Sequence, residues 1–177
     1  MSESRLRLER TSDAGYLNVR CNPANEDLLS VIAEQAGVSM PLAANTVEAT
    51  SRRAYWLGPD EWLLAIAPGD TLALKATLDD ALQGAHVAIN DVSGGLVTYL
   101  LRGEQARELL AKGCTLDLHP DVLKKGSCAQ TGLAKANVIL SLSEDADGFD
   151  IIVRRSFADY VWQWLSHAGR NLGIEVA

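Results

Sequence analysis

The run Trp62-Leu63-Leu64-Ala65-Ile66-Ala67 limits the fold more than any other segment. It is nearly all apolar and is closed by turn chemistry on both sides, Gly58-Pro59-Asp60-Glu61 before it and Pro68-Gly69 after it. A bounded apolar run of that length reads as a central strand. Pro59 suits the second position of the leading turn because its φ is already fixed, and Asp60 tolerates the next position.

The segments around it extend the pattern. Residues 16–21 alternate, with Tyr16, Asn18 and Arg20 on one face and Leu17, Val19 and Cys21 on the other, which predicts a half-buried strand. Residues 5–10 alternate more weakly and read as a short strand. Asn22 with Pro23, or Asn25 alone, caps a helix whose stripe is Leu28, Leu29, Ile32, Ala33 and Ala36. Gly37 stands where a left-handed residue ends such a helix. Residues 38–45, with Pro41, read as connection and residues 46–57 as one strand. Asp70 caps a second helix with the stripe Leu74, Leu78, Ala81 and Leu82, closed by Gly84.

The second half reads similarly. Strands are predicted at residues 86–92 and 96–101, separated by the turn or bulge Ser93-Gly94-Gly95. A short helix at 104–112 turns Leu109 and Leu110 inward and ends at Gly113. Strands follow at 130–135, 138–143 and 149–153, with an acidic turn at 144–148. Ser156 then caps the last helix with Asp159 as capping-box partner. The expected fold is α+β: two pseudo-repeated β-α-β-β-α-like halves with antiparallel sheets, residues 1–85 and 86–177, in one compact subunit. Residue identity between the halves is negligible, so the repeat is one of element order.

Charge and composition exclude several functions. A net charge of −7 opposes binding to nucleic acid or to an anionic membrane surface, both of which draw on Lys and Arg. No apolar run approaches the ~18–20 residues of a spanning helix, and the charged start MSESRLRLER lacks the apolar core of a secretory signal. Three widely spaced cysteines do not make a disulfide framework. A cytoplasmic setting is expected.

The candidate reactive residues are sparse. Cys114, His119 and Cys128 form a C-x4-H-x8-C arrangement between residues 110 and 142. Zinc sites present paired ligands two to four residues apart and four in all, so structural roles are expected for all three. Asp91-Val92-Ser93-Gly94-Gly95 resembles a nucleophile elbow with Asp where Gly is needed, and the acid is expected to accept backbone bonds across the turn. Lys124-Lys125-Gly126-Ser127 lacks the first glycine and the following helix of a phosphate loop. No dinucleotide fingerprint and no HExxH motif is present. No catalytic, cofactor-binding or metal-binding residue is therefore assigned.

The last helix invites a different reading. Phe157, Val161, Leu165, Ala168 and Leu172 follow core spacing, while Tyr160, Trp164 and His167 lie on a second face with Trp162 near the seam. Aromatic residues are enriched where proteins meet, and the same pattern fits equally a helix packed against two layers of its own fold. Arg154 and Arg155 precede this helix, where its dipole disfavours cations; they either face acidic partners, in this chain or another, or are solvated charges at a strand end, which is the commoner case. Arg154, Arg155, Tyr160, Trp164 and His167 are the candidate partner interface.

The blocks GCTLDLHP…KKGSCAQTGLAKANVIL and FDIIVRRSFADYVWQWL, with YWLGPDEWLL and NDVSGGLVTYLLRGEQARELLAKGC upstream, resemble the gamma subunit of heterotetrameric sarcosine oxidase over residues 54–165. The resemblance implies a fold like the folate-binding domain of the glycine-cleavage aminomethyltransferase. It implies partners, the alpha, beta and delta subunits of a flavin-dependent complex holding FAD, FMN, NAD and zinc. That complex oxidatively demethylates sarcosine to glycine, passing the one-carbon unit to tetrahydrofolate and electrons to oxygen. The gamma subunit carries no assigned cofactor, and the aspartate-bearing folate loop has no counterpart here, so no folate residues are carried over. Related complexes acting on N-methylglutamate or other N-methyl amino acids use a similar small subunit. A stand-alone folate-binding module and a zinc protein using Cys114, His119 and Cys128 are the rival readings.

Overall fold

The structure, a computed structural model, describes residues 6–11, 14–143 and 148–177. They form two compact units. Strand β1 (Arg7–Arg10) belongs to the second. The first contains strand β2 (Gly15–Cys21), helix α1 (Glu26–Ala36), strands β3 (Val47–Ala49), β4 (Arg53–Gly58) and β5 (Glu61–Ile66), helix α2 (Thr71–Ala81) and strand β6 (Val87–Asp91). Its sheet is antiparallel, in the order β3-β4-β5-β2-β6.

The apolar run at 62–66 lies in β5, paired on both edges with β4 and β2. Trp62, Leu64 and Ile66 pack with Leu17, Ile32 and Leu78 in one core, and Leu63 on the opposite face is also buried, as a near-continuous apolar run requires. The Trp62 indole Nε1 donates to the Pro41 carbonyl at 2.7 Å, which ties down the connection after α1. β2 is less amphipathic than expected, because Tyr16 is only 2% exposed.

Asn25 caps α1, its Oδ1 accepting from Leu28 N at 3.0 Å, and Gly37 closes it with φ 65°. The single strand expected at 46–57 is instead the hairpin β3–β4. Its turn serves α1. Thr50 Oγ1 donates to the Gly37 carbonyl at 2.8 Å and the Arg52 guanidinium to the Ala36 carbonyl at 2.9 Å, covering carbonyls that the helix end leaves open. In α2, Asp70 holds the N-cap position without a side-chain bond. Its near-helical φ and ψ of −87° and −9° depart from the extended conformation that aims a capping carboxylate. Ala81 is exposed, and Thr71 takes a place in the buried stripe.

The second unit holds β1 with strand β7 (Leu96–Arg102), helix α3 (Ala106–Ala111), strands β8 (Cys128–Leu133), β9 (Ala136–Leu142) and β10 (Gly148–Arg154), helix α4 (Arg155–Ala168) and strand β11 (Glu175–Val176). The sheet order is β11-β1-β7-β10-β9-β8. All pairs are antiparallel except β1 with β11. Ile151 sits opposite Tyr99 and Leu140, and this row packs with Leu109, Val161 and Leu165. The acidic turn expected at 144–148 lies outside the described residues except Gly148, and Arg5 of the first expected strand also lies outside them.

The observed units do not follow the expected boundary at 85 and 86, for the first unit ends at Gly94. β6 pairs with β2, and β1 crosses into the second sheet beside β7. With that correction the repeat becomes plain. Each unit runs strand, helix, three-strand meander, helix, and the last meander strand returns antiparallel beside the first: β5 on β2, β10 on β7. The other flank of that first strand is filled by β6 in one unit and by β1 in the other.

α4 also departs from expectation. It starts at Arg155 directly off β10, with Arg154 as an extended N-cap residue and no side-chain cap, so Ser156 and Asp159 form no capping box. The inward stripe is Ala158, Val161 and Leu165, leaving Phe157 42% exposed instead of in the core. Tyr99 Oη donates to the Ala158 carbonyl at 2.9 Å and fixes this phase.

Candidate functional site

The connection from α3 to β8 is shaped by local bonds. Asp117 Oδ1 accepts from His119 N at 2.9 Å, and the His119 carbonyl accepts from Val122 N and Leu123 N at 2.9 and 3.0 Å. Ser127 N donates to the Lys124 carbonyl at 3.0 Å across Gly126, whose φ is 77°. These turns bury Leu118 and Leu123 in the second core. They also set Pro120, Lys124 and Lys125 along one wall of a cleft of about 310 Å³.

Among the described residues, the rest of the lining comes from the sheet and the start of α3. Gly103, Ala106 and Arg107 line it on one side, and Leu142, Gly148 and Phe149 on another. The Arg107 guanidinium lies 5.2 Å from the Phe149 ring centroid and donates to the Leu118 carbonyl, so stacking and a hydrogen bond both fix it. Ser143, 3% exposed, adds a hydroxyl. On β10, Asp150 is 1% exposed and held by Arg102 at 2.5 Å, while the same guanidinium donates to the Phe149 carbonyl at 2.7 Å. Buried acid and partner together lock β10 to β7.

The cysteines and histidine do not converge. Cys114 is half-buried with Sγ 3.8 Å from Thr131 Oγ1, Cys128 is buried at the start of β8, and His119 is exposed beside Asp121. Burial, with the Asp60 carboxylate adding to it, pushes the Cys21 thiol up in the first unit. Among the described residues no group of three or more His, Cys, Asp or Glu side chains is placed to hold a metal ion. Lys124-Lys125-Gly126-Ser127 is the turn into β8, with no helix after it.

Asp91 does serve its turn. Its Oδ1 accepts from Ser93 Oγ at 2.5 Å and Ser93 N at 2.9 Å, while Tyr16 N donates to Ser93 Oγ at 2.9 Å. The Ser93 hydroxyl first, then its N–H, and Lys75 at longer range hold the Asp91 carboxyl below its ordinary value.

Arg154, at the end of β10, and Arg155, Tyr160 and His167 on α4 are exposed. Tyr160 Oη accepts from Lys135 N at 3.3 Å, which anchors the ring at the β8–β9 turn. Trp164 is only partly exposed, because its ring covers Gly113, where a Cβ would come within 2.4 Å of it. Sequence reasoning missed Phe157 because the spacings 157-161-165 and 158-161-165 both fit a helical stripe. It missed Arg107 with Phe149 because their pairing across 42 positions leaves no mark in spacing.

A profile of the Sarcosine oxidase, gamma subunit family matches residues 20–171. The sarcosine oxidase subunit gamma of Corynebacterium sp. strain P-1 is 32% identical over 174 residues, 96% of this chain and 83% of that protein. The subunit gamma of strain U-96 is 32% identical over 141 residues, 78% of this chain and 67% of that protein. In the solved heterotetrameric sarcosine oxidase from Corynebacterium sp. U-96, in complex with pyrrole 2-carboxylate, one chain matches at a TM-score of 0.88 and 29% identity, covering 100% of this chain and 90% of that one. The glycine cleavage system aminomethyltransferase T of Bartonella henselae matches at a TM-score of 0.72 and 16% identity, over 99% of this chain and 48% of that one, and carries the same fold. The chain thus has the expected α+β, aminomethyltransferase-like architecture, and it belongs to the sarcosine oxidase gamma subunit family.

Proposed function

We propose that this chain is the structural, non-catalytic gamma subunit of a heterotetrameric sarcosine oxidase, an oxidoreductase that demethylates sarcosine to glycine with tetrahydrofolate taking the one-carbon unit. The observation that carries the reading is the match, along the whole chain, to a subunit of a solved heterotetrameric sarcosine oxidase. In this reading the other partners are the alpha, beta and delta subunits, and FAD, FMN, NAD and zinc reside in them. Cytoplasmic residence belongs to the same proposal, supported by three cysteines that form no disulfide. No helix among the described residues is long and apolar enough to cross a membrane.

The proposed contact is the outer face of α4. Arg154, Arg155, Tyr160 and His167 would meet another subunit there, Phe157 adds an exposed ring, and Trp164 contributes the ring edge that Gly113 leaves uncovered. Co-expression with the large subunits tests the assignment. A tagged chain should retain the other subunits in fixed stoichiometry through size-exclusion chromatography, with sarcosine-dependent electron transfer in the retained complex. Elution of the chain alone under gentle conditions would overturn it.

A further inference from the structure

We propose that the side of α4 carrying Phe157, Tyr160, Trp164 and His167 receives an amphipathic helix with an acidic rim from another subunit, an inference that rests on the assembly proposed above. These residues follow one another at intervals of 3, 4 and 3, the spacing of the seam along which two helices pack. They form a second stripe beside the inward one of Ala158, Val161 and Leu165. Phe157 is 42% exposed and Tyr160 38%, so this second stripe is open.

The ground around the stripe is already fixed. The Gly113 carbonyl accepts from Ala134 N at 2.8 Å, Tyr160 Oη accepts from Lys135 N at 3.3 Å, and the Trp164 ring covers Gly113. Ala134 is thereby held at φ 52°, a left-handed conformation that disfavours a Cβ, in the turn between the paired Leu133 and Ala136. A surface tied in this way loses little freedom when a partner docks. The same contacts bring two cations to its border. Lys135 stands beside Tyr160, and the Lys112 ammonium donates to the Ala168 carbonyl and to Asn171 Oδ1, both at 2.7 Å and both neutral acceptors. Their anchor points, Tyr160 and Ala168, lie eight residues apart, about 12 Å along the helix. Asp159, the only carboxylate on α4, faces elsewhere: burial pushes the Tyr99 hydroxyl up, Arg10 opposes this and Asp159 adds to it, which sets Asp159 towards Tyr99. Lysines bordering aromatic rings complement carboxylates around an apolar helix face. A second copy of this chain does not, because a symmetric contact would set the same lysines against each other.

The test uses the full chain co-expressed with the large subunits and isolated as the retained complex. A carbodiimide couples an amine to a carboxylate where the two touch, and mass spectrometry of the peptides identifies both residues. Lys112 and Lys135 should each couple to an Asp or Glu of another subunit, the two acids about seven or eight residues apart in one segment. Lys135→Glu with Lys112→Gln should lower recovery of the complex by about tenfold or more, an effect that shrinks as salt is added. The melting temperature of the free chain should change little, since both side chains are exposed. Replacing the mapped acid opposite Lys135 by Lys should restore recovery of the Lys135→Glu chain. If the complex forms but neither lysine couples, or the double variant is recovered normally, this inference falls and the assembly stands. If no subunit is retained at all, both fall. Coupling between two copies of this chain would assign the face to self-association. Binding to phosphatidylserine vesicles that Lys135→Glu abolishes would assign it to a membrane, and either result overturns the proposal.

Discussion

Gly113 is legible in the sequence as a helix end, but its physical role is different. It makes room for the Trp164 ring, whose Cζ2 would lie 2.4 Å from an added Cβ. Gly113→Ala must therefore push a large ring off the second core, and overpacking of this kind costs about 1–3 kcal/mol, measured by chemical denaturation. Ser93 is a second case. The sequence marks Asp91 and Ser93 as a turn, and the structure adds that the Ser93 hydroxyl donates to Asp91 while accepting from Tyr16 N. The Asp91 carboxyl is depressed, so its stabilising contribution is present above the ordinary carboxylate value of 3.8 and is lost as pH falls through the lower native value. Ser93→Ala should return the Asp91 titration, followed by NMR, towards that ordinary value. It should also flatten the loss of stability in acid and cost about 1 kcal/mol at neutral pH through the lost hydrogen bond.

At the scale of elements, local chemistry was readable where one residue decides the outcome. Asn25 and Gly37 bracket α1 because a carboxamide cap and a left-handed glycine have few substitutes. The phase of α4 was not readable, because it is set by Tyr99 reaching the Ala158 carbonyl from a strand 59 residues earlier. The break between β3 and β4 was hidden in the same way, since Thr50 and Arg52 turn the chain by binding the end of α1 rather than by turn-forming composition. The corrected phase gives the sharper test of the α4 face. Trp164→Ala confounds fold with assembly because its ring packs on Gly113. Phe157 is 42% exposed and lies outside the inward stripe, so Phe157→Glu should change the melting temperature of the free chain little. The same change should lower recovery of the complex in pull-down by about tenfold or more, as expected for a charge placed in an aromatic contact. Normal recovery would move the interface elsewhere on the chain.

For the whole molecule, the two repeats account for most of the fold, and the chain ends complete it. The family profile spans residues 20–171, which leaves β1 and β11 outside it. The two nevertheless form the parallel edge of the second sheet, Leu8 opposite both Val176 and Leu101. A strand from the start of the chain thus fills beside β7 the place that β6 fills beside β2. Residue spacing does not reveal such a pairing, because the partners are separated by the whole first unit and the short strand alternates weakly. Its importance lies in burial instead: Leu8 is 0% exposed and Leu6 2%. Leu8→Ala removes a fully enclosed side chain and leaves a cavity next to Leu101, a change that costs about 2–5 kcal/mol. Hydrogen exchange should show the loss first in the amides of β7 and β11 that pair with β1, ahead of those in β2 and β5. If Leu8→Ala costs less than about 1 kcal/mol, as a surface substitution does, β1 is not a structural strand of the second unit.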